Sequence, residues 1–261
     1  MEAIDFTVSD GVAGITLNRP SRKNALNATM TAELIEAIAE IRDNPDIRVL
    51  VLRGAGNDFC SGGDIQDMQA MAGDLTARRA RLKRIHVWVE ELINLDKPVI
   101  AAVDGAAYGA GFGIALAADL VLATPQARFC MAFMRIGLIP DCAALYTLPR
   151  AVGLQRAKEI MFSGRELGAE EARQLGIVLE IHEREALEER VQTLAESLGG
   201  ASPTALSLTK RGLNISTLND LGTMLEIEAA GQTVAFASHE HSEAVRRFVN
   251  KEKPLFHWPS E

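Results

Sequence analysis

Two glycine-rich stretches of this 261-residue chain hold the groups best suited to chemistry: residues 54–64 read GAGNDFCSGGD, and residues 105–113 read GAAYGAGFG. Each follows a short aliphatic run and precedes a helix-like segment. A helix start leaves its first backbone N–H groups without partners, ready for an anion or a polarised carbonyl. Donors near Gly62 and Gly63 and near Gly109 to Gly111 could converge on one oxygen and stabilise charge that develops there, as an oxyanion hole does. Glycines that only let a helix lie close on a strand are an equally open reading. A dinucleotide site fits worse, because Ile114 stands where a third glycine belongs and the run 120–123 ends in Thr124 and Pro125 without the acid that would hold a ribose. Asp141 is the remaining candidate, an acid in apolar surroundings after Ile139 and Pro140. Burial would raise its pKa toward the range useful for proton transfer. Structurally, it could instead cap the helix that follows.

The elements that must position these groups follow from periodicity. Residues 6–9 and 12–17 bracket Asp10-Gly11 and predict a β-hairpin. Residues 18–27 form a polar loop carrying Arg19, Arg22 and Lys23. Met30, Leu34, Ile38 and Ile41 recur at helical spacing until Asn44-Pro45, and residues 49–52 form a short buried strand. Asp64 is placed to cap a helix. A long amphipathic helix spans residues 76–95, and Pro98 opens the apolar strand 99–103. This alternation of strand, glycine loop and helix argues for an α/β core of β-β-α units. Beyond residue 150 helical periodicity dominates, at 154–162, 169–175, 187–198, 203–214 and 218–237, with strand signal only at 177–181. The expected division is a core over 1–200 and a helical region over 201–261.

Composition bounds the function. With 48% hydrophobic and 24% charged residues the chain is that of a globular protein. A net charge of −8 argues against a general nucleic-acid binder. Cys60, Cys130 and Cys142 have no metal-ligand spacing and are expected as buried thiols. Neither a secretory pattern at the N-terminus nor an apolar run of the ~20 residues a membrane helix needs is present, so no membrane association and a cytoplasmic location are expected.

Taken together, Asn18-Arg19-Pro20 followed by Asn24-Ala25-Leu26, the loop 59–64, the stretch 104–119, Ile136-Gly137-Leu138 before Pro140, and the ending 248–254 resemble the enoyl-CoA hydratase/isomerase (crotonase) superfamily over essentially the whole chain. The resemblance implies a spiral of β-β-α turns with a helical C-terminal region that forms trimers or dimers of trimers. It implies acyl-CoA thioester substrates, no metal or redox cofactor, and an enolate held by the N–H groups of Gly63 and Ala110. On the CoA side it implies Arg22, Lys23 and Ala25 near the nucleotide, Ser61, Gly62 and Asp64 beside adenine and pantetheine, and Phe248 and Lys251 reaching a neighbouring subunit's CoA phosphates.

The hydratase pattern breaks at two positions. The two glutamates that place and deprotonate water fall on Gly113 and Phe133. Asp141 matches an acid that shuttles a proton in relatives that isomerise double bonds. Relatives that displace a halide from an aromatic thioester also carry an aspartate there and resemble this chain around Tyr146-Thr147-Leu148, but have tryptophan in place of Phe133. The expectation is an enoyl-CoA isomerase. A hydratase using an atypical acid and a non-catalytic acyl-CoA-binding protein are the alternatives.

Overall fold

The structure, a computed structural model, describes residues 1–260. The chain opens with a hairpin of β1 (Ile4–Ser9) and β2 (Val12–Leu17), turned by Asp10 and Gly11, both at positive φ. Next comes α1 (Ala28–Asp43), where Asn27 caps the first turn by accepting the Met30 N–H, and then β3 (Val49–Gly54). Helices α2 (Ile65–Ala70) and α3 (Leu75–Ile93) lead into β4 (Val99–Val103), β5 (Ala106–Tyr108) and α4 (Ala110–Leu116). Strands β6 (Leu120–Ala123) and β7 (Arg128–Cys130) precede α5 (Ala144–Val152), α6 (Leu154–Ser163), β8 (Glu166–Gly168), α7 (Ala169–Gln174), β9 (Glu180–Ile181) and α8 (Arg184–Gly199). Three helices end the chain: α9 (Pro203–Ser216), α10 (Leu221–Phe236) and α11 (His239–Val249).

Strands β1-β2-β3-β4-β6-β9 form one sheet, parallel except for the hairpin, and β5-β7-β8 form a second. Strands buried on both faces need apolar residues at every position, and VLVL in β3 and VIAAV in β4 supply them. Alternate residues serve different cores: Leu50, Leu52, Val99, Ala101 and Val103 face the main core, whereas Val49, Val51, Ile100 and Ala102 meet Leu187, Val191 and Leu194 of α8. A turn of the spiral places one strand in the first sheet, the next in the second, and then a helix. Cys60 is a one-residue version of the second-sheet step, bridged to Ala107.

Helices α9 to α11 contain no buried residue. Polar contacts tie α9 to the core: Arg211 and Ser207 meet Asp96, Lys210 pairs with Asp119 at 2.7 Å, and the Tyr146 hydroxyl donates to the Asn214 carbonyl at 2.7 Å. The helix expected over 218–237 begins at Leu221, where the Asp220 carboxylate accepts the Thr223 N–H, and α11 adds a helix that periodicity did not separate. The three cysteines are free and buried, and among the described residues no helix is long and apolar enough to cross a membrane.

Candidate active site

The two glycine loops interlock. The Cys60 N–H donates to the Ala106 carbonyl at 2.8 Å and the Tyr108 N–H donates to the Cys60 carbonyl at 2.9 Å. Contact this close leaves no room for a side chain at Gly111, where an added Cβ would overlap the Cys60 carbonyl oxygen. Gly62, at φ 101°, approaches as closely: a Cβ there would lie 2.8 Å from the Tyr108 carbonyl oxygen and 3.5 Å from the Ala110 nitrogen. The amides of Gly63 and Ala110 are therefore neighbours, and among the described residues neither donates a hydrogen bond. Leu26 donates to the Gly62 carbonyl and accepts from the Asp64 N–H, which skips the Gly63 N–H. Ala110 opens α4, where no preceding carbonyl is in register to receive its N–H.

Asp141 packs against α4, its carbonyl oxygen 3.2 Å from where a Cβ on Gly113 would stand. Its neighbours Cys142 and Ala143 both have positive φ, at 48° and 59°, and α5 begins only at Ala144. The capping reading of Asp141 is thereby corrected: Ala143 occupies the cap position without a side-chain cap, and Asp141 contributes only its backbone carbonyl, which accepts the Ala144 N–H at 3.0 Å. Two successive left-handed residues turn the chain before the helix can start, which carries the carboxylate away from the helix amides. Its Oδ1 is buried and has no hydrogen-bond partner. Burial raises the Asp141 pKa, and the opposing influences of the Cys142 thiol, Arg81 and His86 do not cancel the rise. Burial, with the Asp141 carboxylate next, also pushes the Cys142 thiol well above its usual value.

Of the two positions where the hydratase pattern has glutamates, Gly113 leaves no room for a side chain and Phe133 holds a buried apolar ring. A Cβ on Gly113 would stand 2.8 Å from the Cys142 Cβ and 3.2 Å from the Asp141 carbonyl oxygen, and Phe133 is buried with its ring edge beside Gly109.

Helices α2 and α3 bring residues to this site that sequence reasoning missed. A Cβ on Gly63 would overlap the Met68 methyl and lie 3.5 Å from Nη2 of Arg81. Arg81 donates from Nη2 to the Leu26 carbonyl at 3.1 Å, while its Nε is buried without a partner. Arg78, Arg79, Lys83 and Arg84 surround it in sequence, so only the helix's docking distinguishes it.

The residues assigned to CoA divide into two groups. Arg22, Lys23, Ala25, Ser61 and Gly62 come together, because the Ser61 N–H donates to the Lys23 carbonyl at 2.9 Å and buried Asn24 donates to the carbonyls of Ala55 and Asp58. Arg22 and Lys23 are left exposed at the rim. Asp64 is occupied within the loop: it caps α2 through the Gln66 N–H and pairs with Arg19 at 2.9 Å. Burial acts to raise its pKa, but the Arg19 and Gln66 hydrogen bonds outweigh it and the carboxyl stays below its ordinary value. Phe248 and Lys251 lie elsewhere in the chain. Phe248 lines an apolar cavity of about 860 Å³ with Leu206, Leu213, Phe256 and Trp258, which none of Gly63, Ala110 or Asp141 borders, and Lys251 is exposed beyond α11.

The enoyl-CoA hydratase/isomerase family profile matches residues 7–259. The chain is 38% identical over 260 residues to 1,2-epoxyphenylacetyl-CoA isomerase of Escherichia coli strain K12, a match covering 98% of each protein. It is 36% identical over 253 residues to a probable enoyl-CoA hydratase of Rhodobacter capsulatus, covering 97% of each. The crystal structure of an enoyl-CoA hydratase/isomerase from Cupriavidus metallidurans CH34 superimposes with a TM-score of 0.95 at 47% identity, over 100% of this chain and 98% of that one. Sequence and fold agree from the first hairpin to the C-terminal tail, and the chain belongs to the enoyl-CoA hydratase/isomerase family.

Proposed function

We propose that the protein is an acyl-CoA isomerase that moves a double bond by taking a proton from one carbon of the acyl group and returning it to another. The observation that carries this reading is the half-buried Asp141 carboxyl, whose Oδ1 is buried without a partner among the described residues and whose pKa is raised. A carboxylate in such a place is a stronger base than an exposed one and lies closer to neutrality as an acid, so it can act in both directions. In the first step Asp141 removes a proton, and the electron pair of the broken C–H bond moves through the conjugated system onto the thioester oxygen. The N–H groups of Gly63 and Ala110 stabilise that oxyanion. The enolate then collapses with the proton delivered to a different carbon, and Asp141 returns to its starting state. The closed space at Gly113 and the apolar Phe133 speak against the hydration route, which needs a carboxylate at each position. A relative named as an isomerase at 38% identity supports the same choice. At the other end of the substrate, Arg22 and Lys23 would meet CoA phosphates beside Ser61 and Gly62.

The test is turnover of a small panel of unsaturated acyl-CoAs in heavy water, followed by mass spectrometry. Isomerisation gives a product without the added mass of water, carrying at most the deuterium that the Asp141 proton exchanges with solvent. A product that has gained water would establish hydration and displace this reading.

Assembly into a trimer or a dimer of trimers is part of the proposal. Leu221, Leu225, Val234 and Phe236 of α10 and Val245, Phe248 and Val249 of α11 are exposed in the single chain, more apolar surface than a soluble monomer tolerates. Sedimentation at micromolar concentration is expected to give a single species of at least three chains, and a monodisperse monomer would contradict it.

A further inference from the structure

The Gly63 amide serves an oxyanion only if its N–H is aimed, and two consecutive glycines are poorly suited to aim it. Neither Gly62 nor Gly63 has a side chain to restrict the peptide between them, and Gly62 is already at φ 101°. Turned over, that peptide would present the Gly62 carbonyl oxygen to the substrate instead of a donor. A trans peptide points its C=O and its N–H in opposite directions, so whatever grips the Gly62 carbonyl also aims the Gly63 N–H. The Leu26 N–H grips it, at 2.8 Å.

The same reasoning extends one peptide further back. The Leu26 N–H and the Ala25 carbonyl belong to a single peptide group, and that carbonyl accepts from Nη1 of Arg19 at 2.5 Å. A line of hydrogen bonds therefore runs from the Arg19 guanidinium, through the peptide joining Ala25 to Leu26 and the peptide joining Gly62 to Gly63, to the N–H proposed to hold the thioester oxygen. Bonds in such a line strengthen one another, so loss of the first loosens and weakens the last. Nη1 carries two N–H bonds, and it also meets Oδ2 of Asp64 at 2.9 Å. Arg19 thus clips the residue before Leu26 to the residue after Gly63, across the bridge that pairs Leu26 with Gly63. Its own backbone is fixed as well, because its N–H donates to Oδ1 of buried Asn24 at 2.9 Å. Since the Asp64 carboxylate balances the charge of the guanidinium, what Arg19 supplies is direction rather than a field.

We propose that Arg19 is a positioning residue for the oxyanion site, aiming the Gly63 N–H through the two intervening peptide groups. This rests on the reading of Gly63 as an oxyanion donor but not on Asp141 being the proton shuttle.

The carbonyl of a bound thioester that cannot react reports the effect directly. Hexanoyl-CoA labelled with heavy carbon at the thioester carbonyl has no double bond to move, and its isotope-edited infrared band falls in frequency as hydrogen bonds draw charge onto the oxygen. The unmodified, assembled protein is expected to lower that band relative to the free thioester. In Arg19→Met roughly half of the lowering should be lost, because one of the two donors is no longer aligned, and Arg19→Lys, which keeps a cation beside Asp64, should recover part of it. Turnover in Arg19→Met is expected to fall about tenfold, while affinity for hexanoyl-CoA by calorimetry changes less than about threefold, a loss concentrated in the transition state. A full band shift in Arg19→Met overturns the proposal. If Arg19→Met does not fold, Arg19→Lys decides alone, a full shift counting against the proposal and a partial one for it. Loss of folding or of CoA binding in both variants also overturns it, since Arg19 would then build the loop rather than aim one amide. An unmodified protein that leaves the band unmoved removes the oxyanion reading and this proposal together, whereas a shift that persists in the variants removes this proposal alone.

Discussion

Asp141→Asn is expected to lower turnover roughly 10²–10⁴-fold, the range associated with loss of a general acid-base group. Asparagine keeps the size and the polar outline of the side chain but cannot carry a proton between carbons. The fold should tolerate the change, since the carboxylate caps no helix and an asparagine oxygen can still accept the Cys142 thiol hydrogen bond. Stability sharpens the test. The folded-state pKa is raised above the ordinary 3.8, so this group's contribution is fully present below about that value and is lost as pH rises through the raised folded value. At neutral pH the native protein therefore bears the cost that burial places on ionising this carboxyl, and Asp141→Asn does not. Its thermal midpoint should match or exceed that of the unmodified protein at pH 7, and the difference should shrink as the pH is lowered toward 3.8. A variant that keeps near-normal α-proton exchange would remove Asp141 from the mechanism and favour an acyl-CoA-binding protein without catalysis.

Gly63→Pro should lower turnover roughly 10²–10³-fold by deleting one of the two donors to the developing oxyanion. Gly63→Ala is its natural control, because it introduces the same Cβ but keeps the N–H. In both variants the new atom meets the methyl end of Met68, a flexible thioether that can swing aside, and approaches Arg81. Gly62, which must precede the proline, has no Cβ to clash with the ring. The alanine protein should retain most activity and the proline protein should not. Equal losses in the two would assign the effect to crowding and locate the oxygen elsewhere.

Much of this framework is legible in the sequence, for physical reasons that differ by element. Strands β3 and β4 announce themselves because burial on both faces leaves no polar position, and the glycine loops because close backbone contact excludes a side chain. The N-cap role of Asp64 is local chemistry and could be read from its position ahead of α2. Strand β8 could not, since three residues paired to β7 carry too little pattern to show a period. Helix α5 starts later than the Pro-Asp signal suggests because Cys142 and Ala143 adopt a left-handed backbone that their side chains do not advertise. Arg81 was hidden among four neighbouring cations: α3 is amphipathic in sequence, but which cation turns inward depends on how the helix rests on the bridged segments around Leu26 and Gly63.

The interlock between Cys60 and Gly111 has a consequence for how such a protein can diverge. Where an added methyl would strike main-chain atoms, as at Gly105 and Gly111, no neighbouring side chain can move to accommodate it, so these positions are closed to mutational exploration. The wall formed by Met68, Arg81, Phe133 and the segment around Asp141 is made of side chains, each replaceable without disturbing the backbone that presents the two amides. A lineage can thus exchange one acyl group, or one proton-transfer strategy, for another by substitutions on that wall while the two amides are inherited unchanged.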